Sequence, residues 1–316
     1  TEVEDINKVI VHSKTEVLKR SEVLELMDSC NVNQVGGLEV AKDWIAKRKL
    51  CFTKEAKDKG IDRPKGIAAI GTQGCGKSLF GKAVSGILEQ PLIKFDVSKV
   101  FGSMVGQTEQ KVRTALKQLE SLAPVVCLID EIDKAGIDQR QGGGDSGTSS
   151  RVMGCILTHM QESKAEIFWI LTANMVGSLP PELLRKGRLD EVFAVLPPND
   201  TERKEILDVH LKKRNKDPDK VKNLHEAVEF SLGFVGSEIE AAIKEAIIHS
   251  FDTGEELTGT LISDQLREMK PLSEAFAEDF NAIREWAESN ARMASLKESK
   301  PKQVRSRRKR NMGGNK

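Results

Sequence analysis

Four stretches carry side chains whose types and spacing suit chemistry on a phosphate ester. The first is Gly71-Thr72-Gln73-Gly74-Cys75-Gly76-Lys77-Ser78. Gly71, Gly74 and Gly76 let the backbone turn its N–H groups inward, and a helix starting at Lys77 adds its positive end to the same anion site. Lys77 is placed to reach β- and γ-phosphates and Ser78 to ligate Mg²⁺. Cys75, through its backbone, and Leu79 complete the binding set. The alternative is a chance glycine-rich turn. The second stretch is Val125–Asp133, VVCLIDEID. Its apolar run sets Asp130 at the C-terminal edge of a buried strand, where it can hold Mg²⁺ directly or through water. Glu131, next in sequence, points elsewhere and can polarise a water for attack on the γ-phosphate. Taken alone, the two acids are equally a solvated pair closing a strand.

The third stretch, Phe168–Asn174, ends an apolar run in Asn174. This residue orients the attacking water or senses the γ-phosphate, or it simply forms a turn. The fourth, Leu183–Glu191, carries Arg185 and Arg188 around a Lys-Gly turn. They are either surface partners of Asp190 and Glu191 or an arginine finger that stabilises transition-state charge. A finger acting on a neighbour's nucleotide would make hydrolysis depend on an oligomer.

These groups must be positioned by alternating strands and helices. Short apolar runs predict strands at 66–70, 91–97, 124–130, 166–172 and 192–196. Helical periodicity is read at 2–28, 38–52, 77–88, 108–122 and 151–162, with a mobile Gly/Ser/Asp loop at 139–150. The alternation argues for an α/β fold, a parallel sheet with helices on both faces. After Pro197-Pro198 only helices are predicted, at 201–214, 221–232, 237–251 and 262–269, with a closing helical region over 272–296.

The 316 residues suit two domains, and 39 % hydrophobic with 31 % charged residues allow a buried core. The apolar runs fall far short of the roughly 20 residues that span a bilayer, and 1–20 does not read as a signal peptide. Five cysteines without CxxC spacing suggest neither a disulfide framework nor a zinc site, and a reducing compartment. Of 49 basic residues, Pro301–Lys316 holds seven and no acidic one, which leaves 42 basic against 48 acidic, a balance of −6, in the first 300. The body thus offers no general field for nucleic acid, whereas the tail could bind nucleic acid or an acidic partner, or act as a solubilising extension.

Together, GTQGCGKS, LIDEID, LTAN and LLRKGRLDE resemble the AAA group of ATPases over about residues 33–251. PPELLRKGRLDE, GGGDSGTSSRV and AIREWAESNARMAS are similar to AAA ATPases encoded in plastid genomes and cyanobacteria, and extend the likeness to about 3–296. The resemblance implies a P-loop NTPase sheet sandwiched by helices and followed by a smaller all-helical lid. It divides the chain into an N-terminal helical segment (1–32), an ATPase core (33–198), a lid (199–270), a C-terminal helical region (271–300) and a basic disordered tail (301–316). It implies Val35 and Gly36 beside the adenine, and His210 and Gly236 facing the nucleotide from the lid; a lone histidine is otherwise more often an ordinary core or surface residue. It further implies ATP and Mg²⁺ as cofactors, Glu131, Asn174, Arg185 and Arg188 as catalytic groups, and a homo-oligomeric ring, a hexamer. That ring would remodel a protein partner away from the membrane, in the cytoplasm, or in the plastid stroma if plastid-encoded. Met104 stands where many relatives place an aromatic pore residue, which puts threading of a polypeptide in question. A nucleotide-gated scaffold tethered to nucleic acid by the tail is the alternative function.

Overall fold

Runs such as GIAAI and VVCLI have no polar face to offer water, so both faces of the strands they form must be covered. The computed structural model describes residues 18, 21–100, 107–134, 146–175, 182–183 and 187–296. Its centre is one seven-stranded sheet. The strands are Leu24–Met27 (β1), Gly66–Ile70 (β2), Leu92–Phe95 (β3), Val125–Ile129 (β4), Ile167–Ala173 (β5), Glu191–Ala194 (β6) and Arg292–Met293 (β7), in the order β1-β3-β4-β5-β2-β6-β7. All pairings are parallel except β1 with β3. Every residue of β2, β4 and β5 is buried.

The period-2 alternation divides those residues between two cores. Ala68, Ile70, Cys127, Ile129, Trp169 and Leu171 pack under Gln107–Leu122 (α3) and Ser146–Glu162 (α4). Ile67, Ala69, Val126, Leu128, Phe168 and Ile170 pack under Glu39–Arg48 (α1) and Lys77–Leu88 (α2). A third apolar cluster is purely helical. Leu207, Leu211, Phe234, Ile239, Ile243 and Leu266 bring together Asp200–Lys212 (α5), Gly236–Thr253 (α7) and Gly259–Arg267 (α8), with Leu224–Phe230 (α6) packed alongside. The chain closes with Ala277–Asn290 (α9) and β7. The fold is α/β with a helical region after the sheet, as predicted. All five cysteines are free.

Three expectations are corrected. Within the described part of the predicted N-terminal helix, Leu24–Met27 is a strand. It completes the outer edge of β3 in the register Leu24↔Phe95 to Met27↔Leu92, and the edge hydrogen bonds outweigh an apolar spacing that fits helix or strand. Helix α4 begins at Ser146, inside the predicted loop, with a first turn of Ser, Gly and Thr residues of the kind common at helix starts. The closing region is not wholly helical, because Arg292–Met293 returns to the sheet and covers the open edge of β6. Arg185, Met104 and the basic tail lie outside the described residues.

Candidate functional site

Strand β2 ends in the glycine loop, and the loop feeds α2. Gly74 and Gly76 have φ of +85° and +88°, left-handed values that favour glycine. A Cβ on Gly76 would meet nothing within 4 Å, whereas one on Gly74 would strike Ser237 Oγ at 2.5 Å. The loop is therefore open at Gly76 and covered at Gly74 by the start of α7, where Ser237 N–H also donates to Gly74 O at 3.3 Å. Gly71 is not a wall of the cavity below. It sits behind the loop, where a Cβ would lie 2.1 Å from Val195 O, so its role is close packing on the chain leaving β6.

Lys77 is only 6 % exposed. Its ammonium donates to Thr72 O at 2.8 Å and to Asn174 Oδ1 at 2.9 Å. Burial pushes its pKa down, opposed by Cys75, Asp133, Asp130 and Glu131. Ser78 Oγ lies 2.9 Å from both carboxylate oxygens of Asp130. The adjacency of β4 and β5 brings in Thr172, whose fully buried hydroxyl donates to Asp130 Oδ1 at 2.6 Å and accepts from Glu131 N–H at 2.8 Å. Glu131 has φ of +51°. That turn takes it out of the strand's alternation and into the wall of the cavity. Asn174 Nδ2 lies 3.5 Å from Glu131 Oε1 and donates to Asp133 Oδ2 at 3.1 Å. Thr172 and Asp133 were not among the predicted site residues. Thr172 is the one hydroxyl in IFWILTA, and Asp133 is the second aspartate of DEID.

Of these groups, Lys77, Ser78, Glu131 and Asn174 face a cavity of about 360 Å³. Its walls include Gly74 to Leu79 (Cys75, Gly76, Lys77 and Ser78 among them), Glu131 and Asn174 at one end, and Val35, Gly36, Leu196, Ile206 and Val209 at the other. His210 and Gly236 also line it. Burial holds His210 below its ordinary pKa, and its Nδ1 lies 3.6 Å from Glu240 Oε1. Burial also pushes the Cys75 thiol up, which keeps it out of the reactive thiolate form.

The apolar end is locked to α5. Gly36 has no room for a side chain, since a Cβ would lie 2.8 Å from Ile206 N. Gly37 N–H donates to Glu205 Oε2 and Leu38 N–H to Glu202 Oε1, both at 2.8 Å. Glu202 also closes the capping box of α5 by accepting from Asn199 N–H at 3.0 Å. Glu202→Ala would leave Leu38 N–H buried without a partner and remove the return half of that capping box. It is expected to destabilise the protein by about 2–3 kcal/mol, seen as a lower urea midpoint at unchanged slope.

Arg188 does not face this cavity. Its Nη1 donates to Glu182 O at 2.8 Å and its Nη2 to Gln161 Oε1 at 3.4 Å. Neither acid named as its surface partner is engaged by it in the described contacts. Asp190 Oδ2 accepts from the N–H groups of Lys65 and Gly66, at 2.5 and 2.8 Å, and Glu191 pairs with Arg292 at 3.2 Å.

Comparison with known sequences agrees with this geometry. Residues 67–196 match the family model described as ATPase family associated with various cellular activities (AAA). Residues 67–196 form an AAA domain. This region holds the glycine loop, the DEID segment, Asn174 and both arginines. The chain is 38 % identical over 290 residues to the AAA domain-containing protein ycf46 of Pyropia yezoensis, a match covering 91 % of this chain and 59 % of that protein. The ycf46 protein of Gracilaria tenuistipitata var. liui is 40 % identical over the same shares. The Cell division cycle protein 48 homolog of Archaeoglobus fulgidus is 32 % identical over 193 residues, covering 60 % of this chain and 26 % of that protein. The chain thus spans less than two thirds of the length of the ycf46 proteins it matches. The AAA match over residues 67–196 supports nucleotide binding, and among the described residues no helix is long and apolar enough to cross a membrane.

Proposed function

We propose that the protein is an Mg²⁺-dependent ATPase that hydrolyses ATP between the subunits of a homo-oligomeric ring and uses the motion of a helical lid, residues 199–270, against the core, residues 33–198, to remodel a protein partner. The observation that carries this reading is one cavity with two chemically distinct ends. Lys77, Ser78, Glu131 and Asn174 meet at one end, and Val35, Gly36, Leu196 and Ile206 form the other. A triphosphate suits the first end and a purine the second.

The donor set suits Mg²⁺. A hydroxyl and a carboxylate, Ser78 and Asp130, are already within 2.9 Å of each other. Among the described residues, no group of three or more His, Cys, Asp or Glu could hold a metal alone. Mg²⁺ characteristically takes one or two protein oxygens, keeps waters and completes its shell with phosphate. When bound, it neutralises charge on the phosphates. In this reading the Lys77 ammonium exchanges its bonds to Thr72 and Asn174 for phosphate oxygens. Glu131 takes the proton of the attacking water, and Asn174, released by Lys77, orients that water. Asp133 holds the Asn174 amide in place, and Thr172 fixes Asp130 and the Glu131 backbone together. Arg188, on the outer surface, is supplied to the neighbour's γ-phosphate, and Arg185 shares that role.

Phosphate release from ATP by the purified protein tests the reading. Turnover is expected with Mg²⁺ and not after EDTA. Lys77→Ala is expected to weaken binding of a fluorescent ATP analogue by about tenfold or more. Wild-type protein that neither binds the analogue nor releases phosphate would overturn the proposal.

A further inference from the structure

Helix α1 starts immediately after Leu38, at the apolar end of the cavity, and Leu38 provides no side-chain cap. Its first-turn N–H groups therefore need partners from elsewhere in the chain. Ala41 N–H finds one 253 residues away in sequence: it donates to Ala294 O at 3.1 Å. Ala294 is fully buried in the same apolar cluster as Trp44, Phe80 and Phe193, and its own N–H donates to Ala194 O at 2.9 Å. One residue thus ties the end of β6 to the start of α1. The following residue, Ser295, lines the nucleotide cavity beside Leu196 and Pro198. Leu296 O then accepts from Asn199 Nδ2 at 3.4 Å, on the residue that caps α5.

We propose that Arg292–Leu296 is part of the nucleotide site: it completes the wall at the apolar end, so that its docking and nucleotide binding are thermodynamically linked. The inference rests on the nucleotide reading above. The physical basis is the contrast between what the segment holds and what holds it. It caps α1 and closes the cavity, yet β7 has only two paired residues, at the sheet's edge, in the register Phe193↔Arg292 and Ala194↔Met293. So short an edge strand opens locally at lower cost than the buried strands. A ligand resting against Ser295 favours the docked state, and by reciprocity the docked state favours the ligand.

The test compares three forms of the protein: the full chain, a chain ending at Leu296 and a chain ending at Asn290. Each is titrated with a fluorescent ATP analogue. The chain ending at Leu296 is expected to bind as the full chain does, and the chain ending at Asn290 roughly fivefold or more weakly. Amide hydrogen exchange on the full chain provides a second readout, with ATP expected to slow exchange at Ala294. Because the shorter chain could lose its fold, Ser295→Trp serves as an independent variant. It fills the cavity but keeps the Ala294 hydrogen bonds, and it is expected to weaken binding while leaving Ala294 exchange without nucleotide unchanged. Equal affinity of the full chain, the Asn290-terminated chain and Ser295→Trp would overturn the inference alone. Failure of the full chain to bind the analogue would overturn the nucleotide reading and this inference with it.

Discussion

Glu131→Gln is expected to lower ATP turnover by about 10²- to 10⁴-fold, with little change in ATP affinity. Glutamine keeps the length and shape of the side chain. The anchoring bond from residue 131 runs from its backbone N–H to Thr172 Oγ1, so the substitution leaves it in place. The φ of +51° is a property of the turn and is no harder for glutamine than for glutamate. The bonds of Lys77 to Thr72 and Asn174, and of Ser78 to Asp130, do not involve the side chain of Glu131. The variant therefore loses the proton acceptor and retains the binding groups. Phosphate release and analogue titration on the same preparation separate the two effects. Unchanged turnover would remove Glu131 from the chemistry. Tight binding without turnover in the wild type would favour a nucleotide-gated scaffold.

Arg188→Ala is expected to lower turnover by about 10³-fold or more, again without loss of binding. The decisive measurement is mixing. If the guanidinium serves a neighbouring site, Arg188→Ala subunits retain Glu131, and Glu131→Gln subunits retain Arg188. A site whose Glu131 comes from an Arg188→Ala subunit and whose arginine comes from a Glu131→Gln neighbour is then intact, whereas the reverse order lacks both groups. In a random equal mixture, head-to-tail assembly makes about a quarter of the sites competent, so two nearly inactive proteins should regain about a quarter of wild-type turnover. If the arginine served its own subunit, mixing would restore nothing. The position of Arg188 motivates the experiment. It is held by Glu182 O and Gln161, outside the cavity that Lys77 and Glu131 share. Asp190 and Glu191, the acids nearest to it in sequence, are engaged with the Lys65 and Gly66 amides and with Arg292.

Much of this arrangement was legible in the chain because it is local. The glycine loop, the buried strands 66–70 and 125–129 and the placement of Asp130 at a strand's end follow from runs of a few residues. What could not be read depends on pairing. Thr172 matters because β5 lies beside β4, so that a residue 42 positions from Asp130 comes within 2.6 Å of it. Glu202 and Glu205 fall within the predicted helix 201–214, and nothing local singles them out from its other charged residues. Only the approach of α5 to Gly36 and Gly37 turns them into acceptors for that loop. Leu24–Met27 and Arg292–Met293 are strands because open sheet edges were available to them, and neither run carries enough alternation to announce it. The α/β class needed only the succession of elements, whereas the edges and the walls of the cavity needed distances across the sheet.

The attachment of Asp190 to the first amide of β2 has a mechanical consequence. Gly66–Ile70 runs roughly 16 Å from that attachment to the glycine loop. It is hydrogen-bonded along both sides, to β5 and to β6, and is buried throughout. A strand held in this way resists both bending and slipping in register, so its two ends move together. In a ring, one end of the strand would carry the grip on a subunit's own phosphates, and the other would be tied to the turn whose arginine serves the next subunit. Successive pockets would then be connected in series by one strand per subunit, and the stiffness of five apolar residues would set how faithfully one pocket's state is relayed to the next.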